Sequence, residues 1–227
     1  MQSRFKKLIR KVDRIEYLNT NLPNNYEEIQ EDYRTVKKKL EILRTSFIKF
    51  MSYEHGGSAF KATMRAIEVV GRKISHDSYE MKSFYREAEI AIREITKIRS
   101  NDSLKNIAEK YSSALSSIED SKIKMNDEME KIIKIIKDLQ EQIKEIDESR
   151  ANILNLRYDL EKLYKKRGPE DPELAQQKTQ FHSQVNITRE QMTNFIKDDR
   201  VFSVLKDSAA VQAQFFEEAA NQLKNVD

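Results

Sequence analysis

The sequence contains no cysteine and no tryptophan, and it has only 4 glycines and 3 prolines in 227 residues. Without cysteine, a disulfide framework or a thiolate metal site is excluded, and the composition is compatible with a cytosolic protein. The scarcity of glycine and proline leaves few turn positions, which argues against a multi-stranded sheet. Charged residues make up 35% of the chain, and this composition is typical of long helices.

Long hydrophobic runs are also missing. No run approaches the ~20 apolar residues of a membrane-spanning helix, and no apolar core of a signal peptide occurs near the N-terminus. The formal net charge is +3, from 41 Lys and Arg against 38 Asp and Glu, so an anionic partner has to be met by local basic patches. Because Lys is mixed with Glu almost everywhere and no recognition module occurs, we expect no nucleic-acid partner.

Catalytic and metal-binding patterns are absent as well. The three histidines, His55, His76 and His182, are scattered, and none forms an i, i+3 or i, i+4 pair that would hold a metal on a helix. There is no phosphate-binding glycine loop, no dinucleotide fingerprint and no nucleophile elbow. We therefore expect no enzyme activity and no cofactor.

Hydrophobic residues recur at helical spacing along most of the chain. From Tyr26 to Phe50 the intervals between them are 3, 4, 3, 4, 3, 4 and 3 residues, which predicts a helix with a heptad-like seam. Residues 55–58 (HGGS) break the pattern, and residues 99–103 (RSNDS) read as a helix stop followed by a cap. Neither glycine nor proline occurs between Leu104 and Lys166, so a helix of ~60 residues is predicted, with a candidate bend at the polar gap 149–150.

The sequence therefore predicts one all-α domain over residues 1–227, an elongated antiparallel bundle of long kinked helices. Its parts are a first helical region at about 3–53, middle helices at about 59–166, a tip turn at 167–172 and a last helix at about 172–225. Such a thin bundle buries little core alone, so we expect it to form a homodimer.

The segment 3–18 is a basic amphipathic stretch with two interpretations. It is either a helix that inserts into a membrane or the first turns of a helix in the dimer core. Residues 21–24 (NLPN) interrupt it, and Pro23 fits the first turn of a second helix that runs to about Tyr53.

Three stretches resemble a known family. The first is Arg157-Tyr158-Asp159-Leu160, followed by Tyr164-Lys165-Lys166-Arg167 and the turn PEDPEL at 169–174. The others are AVQAQFFEE at 210–218 and RKVD at 10–13. In this order and spacing they are similar to a BAR domain of the endophilin/amphiphysin type, across nearly the whole chain. The interruption at Pro23 departs from the family's long first helix.

The resemblance implies a crescent-shaped homodimer that binds anionic phospholipid membranes and senses or generates their curvature. It implies a cytoplasmic protein, peripheral on membranes, in endocytosis or vesicle trafficking, and a small GTPase as a possible partner. The membrane contact would be made by basic residues of the tip, with weaker candidates upstream on the same helix. These residues are Lys165, Lys166, Arg167, Lys162, Arg157, Arg150 and Lys144.

Two alternatives remain open from the sequence. Lys165, Lys166 and Arg167 would also complement a helix C-terminus and solubilise a turn without touching lipid. A chain with these apolar seams would also serve as a soluble helical scaffold or tether, binding partner helices or a small GTPase without direct lipid binding. Lys37, Lys38 and Lys39 could add to a central patch, but only one or two of three consecutive helix residues can face one surface.

Overall fold

The computed structural model describes residues 15–53, 83–98, 100–167 and 171–226. All regular secondary structure in these ranges is helical, which confirms the predicted all-α fold. The described residues form five helices. They are α1 (Tyr26–Met51), α2 (Phe84–Ile95), α3 (Asp102–Arg167), α4 (Pro172–Ile196) and α5 (Asp199–Lys224).

Side-chain caps define where three of these helices begin. The Ser83 hydroxyl accepts a hydrogen bond from the amide of Arg86 at 3.2 Å, and Oδ1 of the Asn101 side chain accepts from the amide of Leu104 at 2.9 Å. Asp171 accepts from the amide of Glu173 at 2.8 Å, directly before the proline that opens α4. Each cap satisfies an amide that has no partner inside its own helix.

The first predicted helix is wrong where the structure describes it. Residues 15–23 are not helical, although a helix was predicted to reach position 18. The reason is that Asn19 and Thr20 bond to Glu161 of α3 instead of to their own chain neighbours. Residues 3–14 of that prediction lie outside the described residues, as do residues 59–82 of the predicted middle helices.

The last predicted helix, about 172–225, is two helices. α4 ends at Ile196 and α5 begins at Asp199, because the Asp198 carboxylate accepts from the amide of Arg200 at 2.9 Å and starts a new helix. The same carboxylate receives the Arg200 guanidinium, with Nη2 at 2.6 Å. This pairing lowers the pKa of Asp198.

The chain divides into two compact units. The first comprises Met1–Leu40 and Lys137–Val201, and the second comprises Glu41–Ile136 and Phe202–Asp227. In the first unit the Tyr33 and Phe195 rings meet edge to face at 5.5 Å. The prediction that residues 1–227 form one domain stays a prediction. The second unit has a cluster of buried residues, Ile118, Met125 and Phe215, with Phe50, Tyr85, Val211 and Ala219 packed against it.

Candidate functional site

The last turn of α3 ends in three consecutive basic residues, Lys165, Lys166 and Arg167, which we call the basic tip. Lys165 and Lys166 are exposed and form no ion pair with any residue that the structure describes. Arg167 is different, because its Nη1 lies 2.5 Å from a Glu173 oxygen and 3.4 Å from an Asp171 oxygen. The positive charge available to an external anion is therefore concentrated on Lys165 and Lys166.

Two of the weaker candidates are also at the surface. The ammonium of exposed Lys162 lies 4.6 Å from the centroid of the Tyr158 ring, so it has a local cation–π contact. Lys144 is 71% exposed and its ammonium lies 4.0 Å from Glu141, which is 78% exposed. A surface pair of this kind contributes little, so Lys144 keeps most of its capacity to bind an anion.

The structure gives the two other candidates internal roles. Nε of Arg157 donates to the carbonyl oxygen of Thr20 at 3.0 Å, and the guanidinium stacks over the Tyr17 ring at 4.4 Å. Arg150 is only 16% exposed and donates to Asp147 at 2.9 Å and to Gln30 at 3.0 Å. These contacts engage both guanidinium groups within the fold, and a membrane contact by Arg157 or Arg150 stays a prediction.

A buried carboxylate holds the residues that precede α1. Glu161, 1% exposed, accepts from the Asn19 amide at 2.8 Å, the Asn19 side chain at 3.1 Å and the Thr20 hydroxyl at 2.7 Å. Burial alone would raise the pKa of Glu161, but the hydrogen bonds from Thr20 and Asn19 outweigh it and lower the pKa. We call residues 16–20, held in this way, the N-terminal strap.

The polar gap at Ser149–Arg150 corresponds to a polar cluster between α1 and α3, and α3 continues through it. The hydroxyl of fully buried Tyr33 lies 3.1 Å from both the Ile143 carbonyl oxygen and an Asp147 carboxylate oxygen. Lys37 pairs with the same carboxylate. Lys37, Lys38 and Lys39 were the candidates for a central basic patch. Lys37 is paired with Asp147, whereas Lys38 and Lys39 are exposed.

The ionisation of this cluster follows from its contacts. Burial, with a further contribution from Asp147, raises the pKa of Tyr33. Burial would also raise the pKa of Asp147, but hydrogen bonds from Lys37, Arg150 and Tyr33 outweigh it and lower the pKa. The cluster therefore holds a neutral tyrosine and a charged carboxylate at neutral pH. Sequence reasoning missed it, although Asp147 and Arg150 stand at the i, i+3 spacing of a helix pair.

One face of α5 is apolar and uncovered. Phe202 is 66% exposed and Phe216 is 54% exposed, although a soluble helix usually buries such side chains. Exposed residues of this face follow one another at intervals of 3 or 4, like a coiled-coil seam. The members of this seam, which we call the α5 seam, are Phe202, Leu205, Ala209, Ala213, Phe216, Ala220 and Leu223.

A groove in the second unit is lined by a mixture of charged, polar and apolar side chains. Its volume is about 260 Å³, and its lining mixes Lys124, Glu128 and Glu218 with Met125 and Phe215. Within the described ranges, no three metal-ligating side chains come together. No helix among those residues is long and apolar enough to cross a membrane.

Comparison with known proteins supplies a family match. The sequence model of the Bin/amphiphysin/Rvs domain for vesicular trafficking matches residues 22–227. The chain is also similar to three proteins that are each named spore wall protein 12. The protein of Enterocytozoon bieneusi is 28% identical, with 95% of this chain and 94% of that protein covered. The protein of Encephalitozoon cuniculi is 28% identical, with 95% of this chain and 93% of that protein covered. The protein of Nosema bombycis is 24% identical, with 96% of this chain and 96% of that protein covered.

Proposed function

Because the chain belongs to the Bin/amphiphysin/Rvs (BAR) domain family, we propose that it is a non-catalytic scaffold that binds anionic phospholipid membranes. It senses or generates membrane curvature in the manner of the endophilin/amphiphysin type, and it works as a cytoplasmic protein on the surface of membranes. The observation that carries this proposal is the pair Lys165 and Lys166, exposed at the end of a 66-residue helix without an ion pair to any described residue. The family's link to vesicular trafficking supports a role in endocytosis or vesicle traffic.

The binding energy of such a site is electrostatic. Each lysine or arginine near an anionic leaflet contributes ~1 kcal/mol, so two tip lysines in each chain add measurably when two chains bind together. Salt screens charges over ~8–10 Å at physiological ionic strength. Binding should therefore weaken as salt is added, and it should rise with the fraction of anionic lipid.

The scaffold acts as a homodimer in this proposal. The α5 seam leaves Phe202 and Phe216 more than half exposed in one chain, and burial of apolar area stabilises association by ~25 cal/mol per Å² before its costs are counted. A second copy offers the same seam, so an isologous pairing would cover both at once. A rigid dimer presents two basic tips to one membrane, which increases the effective affinity of each.

Co-sedimentation with liposomes of varied anionic-lipid content and diameter tests the proposal. The Lys165→Glu/Lys166→Glu variant should bind at least about thirtyfold more weakly, at ~1 kcal/mol per basic residue lost. Its matched control is Lys134→Glu/Lys137→Glu, which reverses two exposed charges on the same helix far from the basic tip. Electron microscopy of the pellet should show tubules or a selection of small vesicles with the wild type.

Comparison with the control variant tests whether the basic tip itself binds the membrane. Equal loss in both variants would show a response to net charge and would remove the basic tip from the proposal. A dimer that fails to bind vesicles at low salt would contradict the membrane scaffold. That outcome would favour a soluble helical tether, which binds partner helices or a small GTPase without direct lipid binding.

A place of action and one further partner belong to this proposal. The similar proteins are named spore wall protein 12, and this name supports the spore wall as the place where the scaffold acts. The further partner is a small GTPase, which the resemblance to the BAR family suggests. If it uses the same basic surface, anionic vesicles should compete with it in a pull-down.

A further inference from the structure

Three charged side chains connect the end of α3 to the start of α4. Nη1 of Arg167 lies 2.5 Å from a Glu173 carboxylate oxygen and 3.4 Å from an Asp171 carboxylate oxygen. The other oxygen of Asp171 accepts from the amide of Glu173 at 2.8 Å, and the Gln177 side chain donates to Glu173 at 3.3 Å. We call Arg167, Asp171 and Glu173 the tip clasp.

The two helix ends that the tip clasp joins are held differently by the fold. The first turn of α4 contains Leu174, which is 3% exposed, so a buried side chain anchors that turn. In the last turn of α3, Lys165, Lys166 and Arg167 are all exposed. The last four carbonyl groups of a helix also have no partner inside it, and helix ends fray for this reason. The clasp therefore joins an exposed last turn to an anchored first turn.

The clasp acts on local order more than on the stability of the whole fold. The side chains of Arg167 and Glu173 are 46% and 48% exposed, and ion pairs of this exposure contribute little to stability. A turn that is already ordered before binding does not pay the entropy of ordering on the membrane. Lys165 and Lys166, directly before Arg167, would gain from such an ordered turn, since both have to reach the same surface.

We propose that Arg167 is a positioning residue, which with Asp171 and Glu173 fixes the last turn of α3 so that Lys165 and Lys166 meet one anionic membrane together. This inference rests on the proposed membrane function and assigns Arg167 a different task from direct contact with lipid. It also explains why two carboxylates lie beside a basic tip that binds anions. They reduce the local positive charge, and they raise the affinity by holding the turn that carries the lysines.

A charge-neutral pair of substitutions tests the clasp. Arg167→Gln/Glu173→Gln removes both partners and keeps the net charge, so a response to net charge predicts unchanged binding. Positioning predicts about fivefold weaker binding to vesicles of about 30% phosphatidylserine, the equivalent of ~1 kcal/mol for one basic residue. Lys131→Gln/Glu128→Gln removes an exposed ion pair of the same 2.5 Å length from α3 and is the matched control. Binding by the clasp variant equal to that of the wild type would overturn the proposal.

The same substitutions in a chain without the tip lysines separate positioning from direct lipid contact. In Lys165→Gln/Lys166→Gln, the clasp has no lysine left to place, so its removal should cause no further loss of binding. Vesicles of higher phosphatidylserine content keep the binding of this variant measurable. A loss of the same size with and without the lysines would overturn the proposal, because it would mean that Arg167 acts independently of them.

A single substitution gives a second test through the sign of its effect. Glu173→Gln removes a negative charge beside the basic tip, so simple electrostatics predicts about fivefold stronger binding. Positioning predicts no gain, because Arg167 loses the nearer of its two carboxylates. Glu190→Gln makes the same charge change at an exposed position of α4 and is the matched control. A fivefold gain in Glu173→Gln that Glu190→Gln does not show would overturn the proposal.

Amide hydrogen exchange without vesicles distinguishes failure of the clasp from failure of the membrane function. We expect the amides of residues 163–167 to exchange faster in Arg167→Gln/Glu173→Gln than in the wild type, since the last turn opens more often. Equal exchange in both proteins would contradict the clasp and leave the membrane scaffold standing. A wild-type protein that binds no vesicle at low salt would overturn both proposals.

Discussion

The ammonium of Lys122 lies 2.8 Å from the main-chain carbonyl oxygen of Met51, the last residue of α1. Lys122 is 2% exposed, and its charge also meets the Asn126 side chain at 3.0 Å and the Tyr53 ring at 5.0 Å. A cation at a helix C-terminus satisfies an unpaired carbonyl and the negative end of the helix dipole. This lysine of α3 therefore stabilises the end of α1.

Removal of that ammonium should destabilise the protein. We expect Lys122→Met to lower the free energy of unfolding by about 2 kcal/mol, since the Met51 carbonyl oxygen loses a charged hydrogen-bond donor. A chain of this size loses roughly 2–4 °C of melting temperature per kcal/mol, which circular dichroism can follow. Lys124→Met, at an exposed position of the same helix, should change stability by less than about 0.5 kcal/mol. Equal effects of both substitutions would contradict the assignment.

Acid should destabilise the first unit through Asp147 and Glu161. Both carboxyls have pKa values lowered in the folded state from ordinary values of 3.8 and 4.5. Their stabilisation is therefore fully present above those ordinary values and is lost as the pH falls through the lowered ones. Unfolding by urea should become easier from about pH 5 downward, where the unfolded state begins to bind more protons.

Substitution of Asp147 or Glu161 tests whether that carboxyl causes the loss of stability in acid. Asp147→Asn and Glu161→Gln should each reduce stability at pH 7 and flatten its fall with acid, because the group that titrates is gone. An unchanged profile in Asp147→Asn and Glu161→Gln would show that other carboxyls cause the acid response.

A charge in the α5 seam should separate the proposed dimer. Phe216→Glu places a carboxylate where a second copy would cover it, and a buried unpaired charge costs several kcal/mol. We expect analytical ultracentrifugation to give twice the chain mass for the wild type and one chain mass for this variant. Ile187→Glu, at a position 49% exposed in the first unit, should stay dimeric. Retention of the dimer by Phe216→Glu would exclude the α5 seam as its interface.

Local sequence rules predicted most of the helices. The seam from Tyr26 to Phe50 and the run between Leu104 and Lys166 without glycine or proline led to α1 and α3, because both depend on short-range periodicity and on missing helix breakers. The same rules failed at Lys197–Asp198. Phe195 and Phe202 keep a seven-residue spacing across that break, so the hydrophobic pattern passes over it. The capping contact of Asp198 with Arg200 became visible only in the folded chain.

What the sequence by itself determined is the all-α character of the protein, the long helix α3 and the basic tip at its end. These follow from composition and from contacts between neighbours in the chain. Only the tertiary structure decided which cations are already engaged by contacts within the fold. Lys165 and Arg157 look alike in the sequence, yet Arg157 is occupied by Thr20, a residue 137 positions away. No local pattern reports such a contact, because it depends on how α3 packs against the chain before α1.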